Sequence, residues 1–170
     1  YPNHLFIIAR IPHHPERPHS EQVSLFVGRN FVVSFLEDPG DCFDAVRARL
    51  RDQQGHLRAC GADYLAYSLL DAVVYAYFPV LEEHGERLDR LEDDVARHTS
   101  PQMVARVHEV KTDLLHLRRD VWPHREALNA LLRDRSPFFG DETRVYLRDT
   151  YDHVVQIIDL VELYREMVAD

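Results

Sequence analysis

Asp71 is a carboxylate in an apolar setting, within the segment SLLDAVVYA. Burying a carboxylate is costly unless it is paired, protonated or bound to a metal ion. Two interpretations follow, a helix acid paired with an arginine and a metal ligand. Asp149 is a second candidate, preceded by Arg148 and close to Asp152. Its surroundings alone favour a solvated helix acid.

The other potential metal ligands form no convincing site. The sequence has 11 histidines, but His108, His116 and His124 recur every eight residues and so spiral around a helix by about 80° per step. The histidines of the proline-rich loop, 13–19, could hold a metal adventitiously, and we expect the histidines in general to be solvated. Cys42 and Cys60 lie 18 residues apart without a CxxC pair. This pattern favours reduced, partly buried thiols over a disulfide or a zinc site.

Several classes of function are disfavoured. The net charge of -9 repels phosphate backbones, which argues against nucleic-acid binding, and attracts cations. Neither a nucleophile elbow nor a phosphate-binding loop is present, so we expect no enzyme and no catalytic residue. We see neither a signal peptide nor a stretch of about 20 apolar residues that would cross a bilayer. Because the chain begins at Tyr1 and ends inside a helical pattern, we expect it to be a fragment.

The first third of the chain is predicted to form a small partial sheet with a flanking helix. Runs of branched and aromatic residues predict strands at Leu5–Ile11, Val23–Val27 and Phe31–Leu36. The turn Gly28-Arg29-Asn30 joins the last two strands as a hairpin. Asp38–Asp41 is predicted to be a turn, and Phe43, Val46 and Leu50 follow at helical spacing.

The remainder is predicted to be helical. One long helix is expected over Tyr64–His98, a second over Pro101–Asp134, and a third from Asp141 onward. Each carries apolar residues at alternating spacings of three and four, which form one narrow stripe suited to packing on another helix. The short connection at Thr99 makes the first two an antiparallel hairpin. Pro123 is expected to kink the second helix. The fold class is therefore α/β, with a small partial sheet and a flanking helix, then a long antiparallel helical hairpin and a protruding third helix.

Several segments resemble the CorA family of magnesium channels. The resemblance covers nearly the whole chain in order. Its most distinctive block is YLRDTYDH at 146–153, and the other matching segments are SEQVSLFV at 20–27, ADYLAYSLLDAVV at 62–74, KTDLLHLRRDVWPHREALNALLRD at 111–134 and VYLRDTYDHVVQIIDLVELYREMV at 145–168.

The resemblance implies an assembly larger than this chain. Family members are homopentamers with a cytoplasmic funnel, and each protomer contributes an α/β domain, a helical hairpin and a stalk helix that continues into the membrane. Residues 1–61 would then be part of the α/β domain, 62–137 the hairpin and 138–170 the start of the stalk. The transmembrane segments, the pore signature and the N-terminal strands would lie outside the chain. We expect the isolated chain to be monomeric or weakly associated.

The resemblance also implies a regulatory metal site. Asp149 on the stalk and Asp71 on the first long helix occupy positions of metal-binding acids in the family. The ion would be Mg²⁺, with Co²⁺, Ni²⁺ or Zn²⁺ as further candidates. Tyr75 stands where the family often has another acid. The main partner of Asp149 would belong to an adjacent protomer.

The function implied is the cytoplasmic regulatory domain of a magnesium/cobalt transporter, on the cytoplasmic side of a bacterial or archaeal membrane. Two alternatives stay open: the same domain of a zinc-transporting member, and a coiled-coil scaffold whose stripes bind partner helices. The acidic run 82–94 fits either a solvated helix face with i,i+4 pairs or a surface that gathers cations.

Overall fold

The structure is a computed structural model, and it describes residues 3–12, 20–37, 41–52, 56–97, 100–133 and 136–169. Most of the proline-rich loop, most of the predicted turn at Asp38–Asp41, and Thr99 of the predicted connection lie outside these ranges.

Three antiparallel strands form a sheet in the order β1-β2-β3. They are β1 (Leu5–Ile11), β2 (Glu21–Val27) and β3 (Val32–Leu36), which confirms the predicted strands. Alternate residues point to opposite faces of a strand, so one register buries a whole set of side chains. Val23, Leu25 and Val27 of β2 are completely buried against the helices. At the hairpin turn, Gly28 N–H donates to the Phe31 carbonyl at 2.9 Å.

The other face of the sheet carries exposed aromatic side chains. Phe6 contacts Phe26 with ring centroids 4.6 Å apart, and Phe26 contacts Phe35 edge-on at 5.7 Å. We call these three residues the aromatic ladder. Phe35 is 58% exposed, and Ile8 and Val33 on the same face of the sheet are also exposed. Within the described residues the apolar core therefore lies on one side of the sheet only.

Six helices follow the sheet in the described ranges: α1 (Asp44–Arg51), α2 (His56–Ala59), α3 (Ala62–Tyr75), α4 (Tyr77–Arg97), α5 (Pro101–Arg133) and α6 (Asp141–Ala169). The first predicted long helix is thus divided at Ala76, which forms a turn. The division is local, since Ala76 N–H still donates to the Ala72 carbonyl at 3.2 Å. α5 continues as one helix through Pro123.

The apolar stripes pack as predicted, with one exception. Leu81, Leu88 and Leu91 of α4 are buried, but Val95 near its end is 48% exposed. On α5 the buried residues are Met103, Val110, Leu114, Leu117, Asp120, Val121, His124, Leu128 and Leu131. Helix α6 packs against α3, α4 and α5 and keeps a buried face to Val161. It therefore packs along the hairpin over most of its length instead of protruding.

Part of the acidic run on α4 is used in ion pairs. Arg90 and Glu86 form an i,i+4 pair at 3.6 Å. Two pairs cross from α4 to α5, Arg87 to Asp113 at 2.9 Å and Arg106 to Asp94 at 2.8 Å. These contacts support the interpretation of the run as a solvated, paired helix face.

The expectation of solvated histidines is wrong at two positions. His84 and His124 are about 95% buried. His124 accepts a hydrogen bond at Nε2 from Arg10 N–H at 3.0 Å, and Tyr77 donates its hydroxyl to the Arg10 carbonyl at 3.0 Å. Both backbone groups of Arg10 on the edge strand β1 are thus satisfied by helix side chains, which an edge strand otherwise leaves to solvent.

One helical stretch, Ala62–Val95, is long and apolar enough to cross a membrane by length and composition alone. The expectation that no such stretch exists is therefore wrong, because residues 64–81 contain a single charged side chain, Asp71. Half of the most apolar part of this stretch is buried inside the structure. Core helices of soluble proteins have the same length and composition.

Candidate metal site between helices α3 and α6

Asp71 lies where α3 packs against α6. Thr150, which is completely buried on α6, donates its hydroxyl proton to Asp71 Oδ1 at 2.8 Å. The alternative acceptor for that proton, the Tyr146 carbonyl, is farther away at 3.3 Å. The Asp71 side chain thus helps to fasten α3 to α6. The arginine-paired alternative has weaker support, because Arg49 acts on Asp71 only through its charge among the interactions described.

The environment of Asp71 disfavours its charged form. Burial is the largest influence on Asp71 and raises its pKa, while the Thr150 hydrogen bond and the charges of His153 and Arg49 act in the opposite direction. The charge of Asp149 raises the same pKa further. A cation near Asp71 would relieve this unfavourable environment.

Asp149 lies on α6 immediately before Thr150, and its side chain is exposed. Its negative charge also acts on Tyr67, whose pKa is raised by burial and then by the charges of Asp71 and Asp149. The structure therefore brings the two predicted site residues within electrostatic range at one helix contact. They differ in their surroundings, since Asp71 is half-buried and Asp149 is open to solvent.

Aromatic side chains surround this contact. Tyr67 packs against Tyr146 with ring centroids 5.3 Å apart. The His153 ring lies edge-on to Tyr75 at 5.2 Å and to Phe78 at 6.0 Å. Its Nδ1 atom is buried and has no hydrogen-bond partner among the residues that the structure describes.

Sequence reasoning did not identify Thr150 and His153 as part of the site. Both belong to the block YLRDTYDH, and His153 lies one helical turn after Asp149. That i,i+4 spacing places Asp149 and His153 on neighbouring positions of one helix face. It was the signal from which His153 could have been predicted as part of the site. Nothing in the sequence indicated that the Thr150 hydroxyl would meet a residue 79 positions away.

Asp71 and Asp149 alone would not complete the coordination of a magnesium ion. In the portion of the chain that the structure describes, no group of three or more His, Cys, Asp or Glu side chains is arranged to hold a metal. Mg²⁺ is usually held by one or two carboxylates and keeps several waters. Asp71 and Asp149 fit that donor type, with the remaining positions left to water or to ligands from elsewhere.

Comparison with known proteins gives the family. The sequence profile of the family described as "CorA-like Mg2+ transporter protein" matches residues 1–170. The chain is 42% identical, over 172 aligned residues, to the cobalt/magnesium transport protein CorA of Thermotoga maritima. This match covers 99% of the chain and 49% of the relative, so the chain spans about half the length of that protein.

Solved structures share the fold. The soluble domain of CorA from Methanocaldococcus jannaschii superposes with a TM-score of 0.88 at 19% identity, over 98% of this chain and 67% of that one. The ZntB cytoplasmic domain from Vibrio parahaemolyticus gives 0.80 at 14% identity, over 98% of this chain and 65% of that one. These likenesses establish the fold.

The profile and the Thermotoga relative both point to metal-ion transporter proteins as the class. Since the family profile matches the full 170 residues, the chain belongs to the CorA family. The resemblance inferred from the sequence and the α/β fold class are both confirmed.

Proposed function

We propose that this chain is the cytoplasmic regulatory part of a CorA-like magnesium/cobalt transporter, and that Asp71 and Asp149 belong to its metal-sensing site. One observation carries the proposal: the half-buried Asp71 carboxylate accepts a hydrogen bond from Thr150 at the α3–α6 contact, and the exposed Asp149 directly precedes Thr150 on α6 and acts on Asp71 through its charge. We take magnesium and cobalt as the cargo ions from the name of the Thermotoga relative. The cargo is carried outside this chain, in the membrane.

The two carboxylates have complementary roles in this proposal. Burial makes ionised Asp71 costly, and Asp149 adds repulsion, so the metal-free contact is electrostatically unfavourable. A bound divalent cation offsets both effects and stabilises the α3–α6 arrangement in which it binds. The ion acts through its different affinity for the closed and open states of the transporter. A weak site suffices, because it must empty when cytoplasmic metal falls.

The exposure of Asp149 supports an assembled form of the protein. Its side chain is free to meet an acid of a neighbouring protomer, and a shared cation would hold the two together. We propose a homopentamer in the full-length protein, attached to the membrane through segments beyond this chain, with this domain on the cytoplasmic side.

The exposed aromatic ladder bears on domain organisation. A contiguous apolar patch on a sheet is unusual for a surface facing only water. This supports residues 1–61 as one part of a larger α/β domain. In the same proposal 62–137 form the hairpin and 138–170 the start of the stalk.

The two alternative functions have less support. The alternative that this chain belongs to a zinc transporter is supported only by the fold that it shares with the ZntB domain, at 14% identity. A coiled-coil scaffold needs unoccupied apolar stripes to receive partner helices. Here the stripes of α4, α5 and α6 are buried against one another, with Leu114 and Leu147 completely inaccessible.

Limited proteolysis of the reconstituted full-length transporter tests the proposal. Magnesium should protect the wild-type protein from cleavage, and Asp149→Asn should weaken that protection while preserving the fold. Glu166→Gln is the matched control, because Glu166 is also an exposed acid on α6. If Asp149→Asn retains the wild-type dependence of protection on magnesium concentration, Asp149 is not part of the sensor.

A further inference from the structure

A second pair of metal-ligating side chains lies away from Asp71 and Asp149. His56 begins the single turn of α2, and Cys60 follows that turn four positions later. The spacing brings His56 Nε2 and Cys60 Sγ to 3.3 Å. The His56 ring is held edge-on against the buried Tyr64 ring, with centroids 5.1 Å apart.

The distance between these two atoms suits a tetrahedral ion. A Zn–S bond of about 2.3 Å and a Zn–N bond of about 2.1 Å at a tetrahedral angle separate S and N by about 3.6 Å. The pair therefore needs to open by only about 0.3 Å to admit zinc at those bond lengths. Imidazole and thiolate are ligands of Zn²⁺ and Co²⁺, whereas Mg²⁺ selects oxygen ligands.

The pair opens into a cleft of about 780 Å³ between the start of α3 and the start of α6. Asp63 lines the same cleft, and its Oδ2 accepts hydrogen bonds from Gly140 N–H at 3.1 Å and from the Thr143 hydroxyl at 2.7 Å. The Asp63 carboxylate is therefore already hydrogen-bonded to the start of α6. Glu142 also lines the cleft and is exposed.

We propose that His56 and Cys60 form an open binding site for a borderline transition-metal cation, Zn²⁺ or Co²⁺, with water in the remaining positions. Because the described residues supply no group of three ligands, the site is exchangeable rather than structural. The inference is independent of the regulatory role of Asp71 and Asp149. It also departs from the sequence expectation that Cys60 is a reduced, partly buried thiol and not part of a zinc site, since the spacing between the cysteines carried no information about the histidine beside one of them.

Cobalt spectroscopy of the tag-free, reduced chain tests this inference. Co²⁺ at micromolar concentration should produce a thiolate-to-cobalt charge-transfer band in the near ultraviolet and visible bands of tetrahedral cobalt. The charge-transfer band reports sulfur ligation, so cobalt held by histidines of the proline-rich loop does not contribute to it. Stoichiometric Zn²⁺ should abolish the band, and a large excess of Mg²⁺ should leave it unchanged.

Two variants and a matched control assign the ligands. Cys60→Ser should abolish the charge-transfer band, and His56→Gln should weaken cobalt binding at least tenfold. Cys42→Ser should retain the band, because Cys42 is the other cysteine of the chain. Circular dichroism confirms that each variant is folded. The inference is overturned by absence of the band in the wild type, by its persistence in Cys60→Ser, by unchanged affinity in His56→Gln, or by displacement with Mg²⁺.

Discussion

Thr150 and Asp71 are joined by a hydrogen bond of 2.8 Å that crosses from α6 to α3. This bond is insufficient to restore an ordinary acidity to the carboxyl group, because burial raises the pKa of Asp71 by more than the hydrogen bond lowers it. Ionisation of Asp71 therefore lowers the stability of the fold as the pH rises to neutral. A carboxylate held where its charged form is disfavoured is a candidate for a functional site.

Asp71→Asn is expected to stabilise the metal-free chain at neutral pH. A group whose pKa is raised in the folded state binds more protons there than in the unfolded state, so stability falls as pH rises above the ordinary pKa of aspartate. Asparagine removes this cost and can still accept the Thr150 hydrogen bond. Urea unfolding between acid and neutral pH should show a difference from the wild type that grows with pH.

Asp89→Asn provides the control for that measurement, because Asp89 is an exposed acid on α4. Its effect on the free energy of unfolding should be small at every pH. A lower stability of Asp71→Asn at neutral pH would show that the Asp71 carboxylate is a net stabilising contact.

His124 should make the fold sensitive to acid. Burial lowers the pKa of His124 to about 4, from an ordinary value of 6.5, despite opposing hydrogen bonds to the backbone near Val121. The unfolded state therefore gains a proton first on acidification. Stability is fully retained above pH 6.5 and is lost as the pH falls toward 4, by up to about 3 kcal/mol.

His124→Gln should flatten this pH dependence, whatever its effect on absolute stability, since glutamine carries no titrating group. His116→Gln is the matched control, because His116 is exposed on the same helix. Urea unfolding at several pH values between 4 and 7 measures the slope. An unchanged slope in His124→Gln would assign the acid sensitivity to other groups.

The elements of the fold were largely predictable because their patterns are local. Alternation in β2 and the regular stripe of α5 each determine which side chains face inward. The turn at Ala76 has a sequence signal that the helix prediction did not use. Pro79 follows it by three residues and has no N–H to donate to the carbonyl of Tyr75, where α3 ends. Val95 fits the helical stripe of α4, yet it lies near the helix end, where the fold does not cover it.

Of the candidate site, only the two carboxylates, Asp71 and Asp149, could be predicted from the sequence. Asp71 was conspicuous because it interrupts an apolar segment, whereas Asp149 depended on the family resemblance. The partner that determines the chemistry of Asp71 comes from tertiary contact, because Thr150 reaches it from α6. The same limit applies outside the site to His124, which is buried and accepts a hydrogen bond from the Arg10 amide of β1. Neither pairing leaves a periodic signal in the sequence.

Leu117→Asp should severely destabilise the chain. Leu117 is 3% exposed on α5, so the substitution buries an unpaired carboxylate and removes apolar contacts. A loss of about 3 kcal/mol or more is expected. Leu115→Asp is the control on the same helix, because Leu115 is 44% exposed and its replacement should shift the melting temperature little. Equal melting temperatures for the two variants would show that the α5 stripe is not buried.

The isolated chain should be monomeric or weakly associated in solution. Asp149, Asp152 and Asp159 are all exposed on α6, and close approach of these faces in several copies brings like charges together. Any residual association should use the exposed face of the sheet, where Phe35 is the most exposed member of the aromatic ladder. Sedimentation velocity at micromolar concentration should therefore give mainly monomer, and Phe35→Lys should remove any larger species. A stable pentamer under these conditions would contradict the prediction and would show that α6 assembles without the membrane.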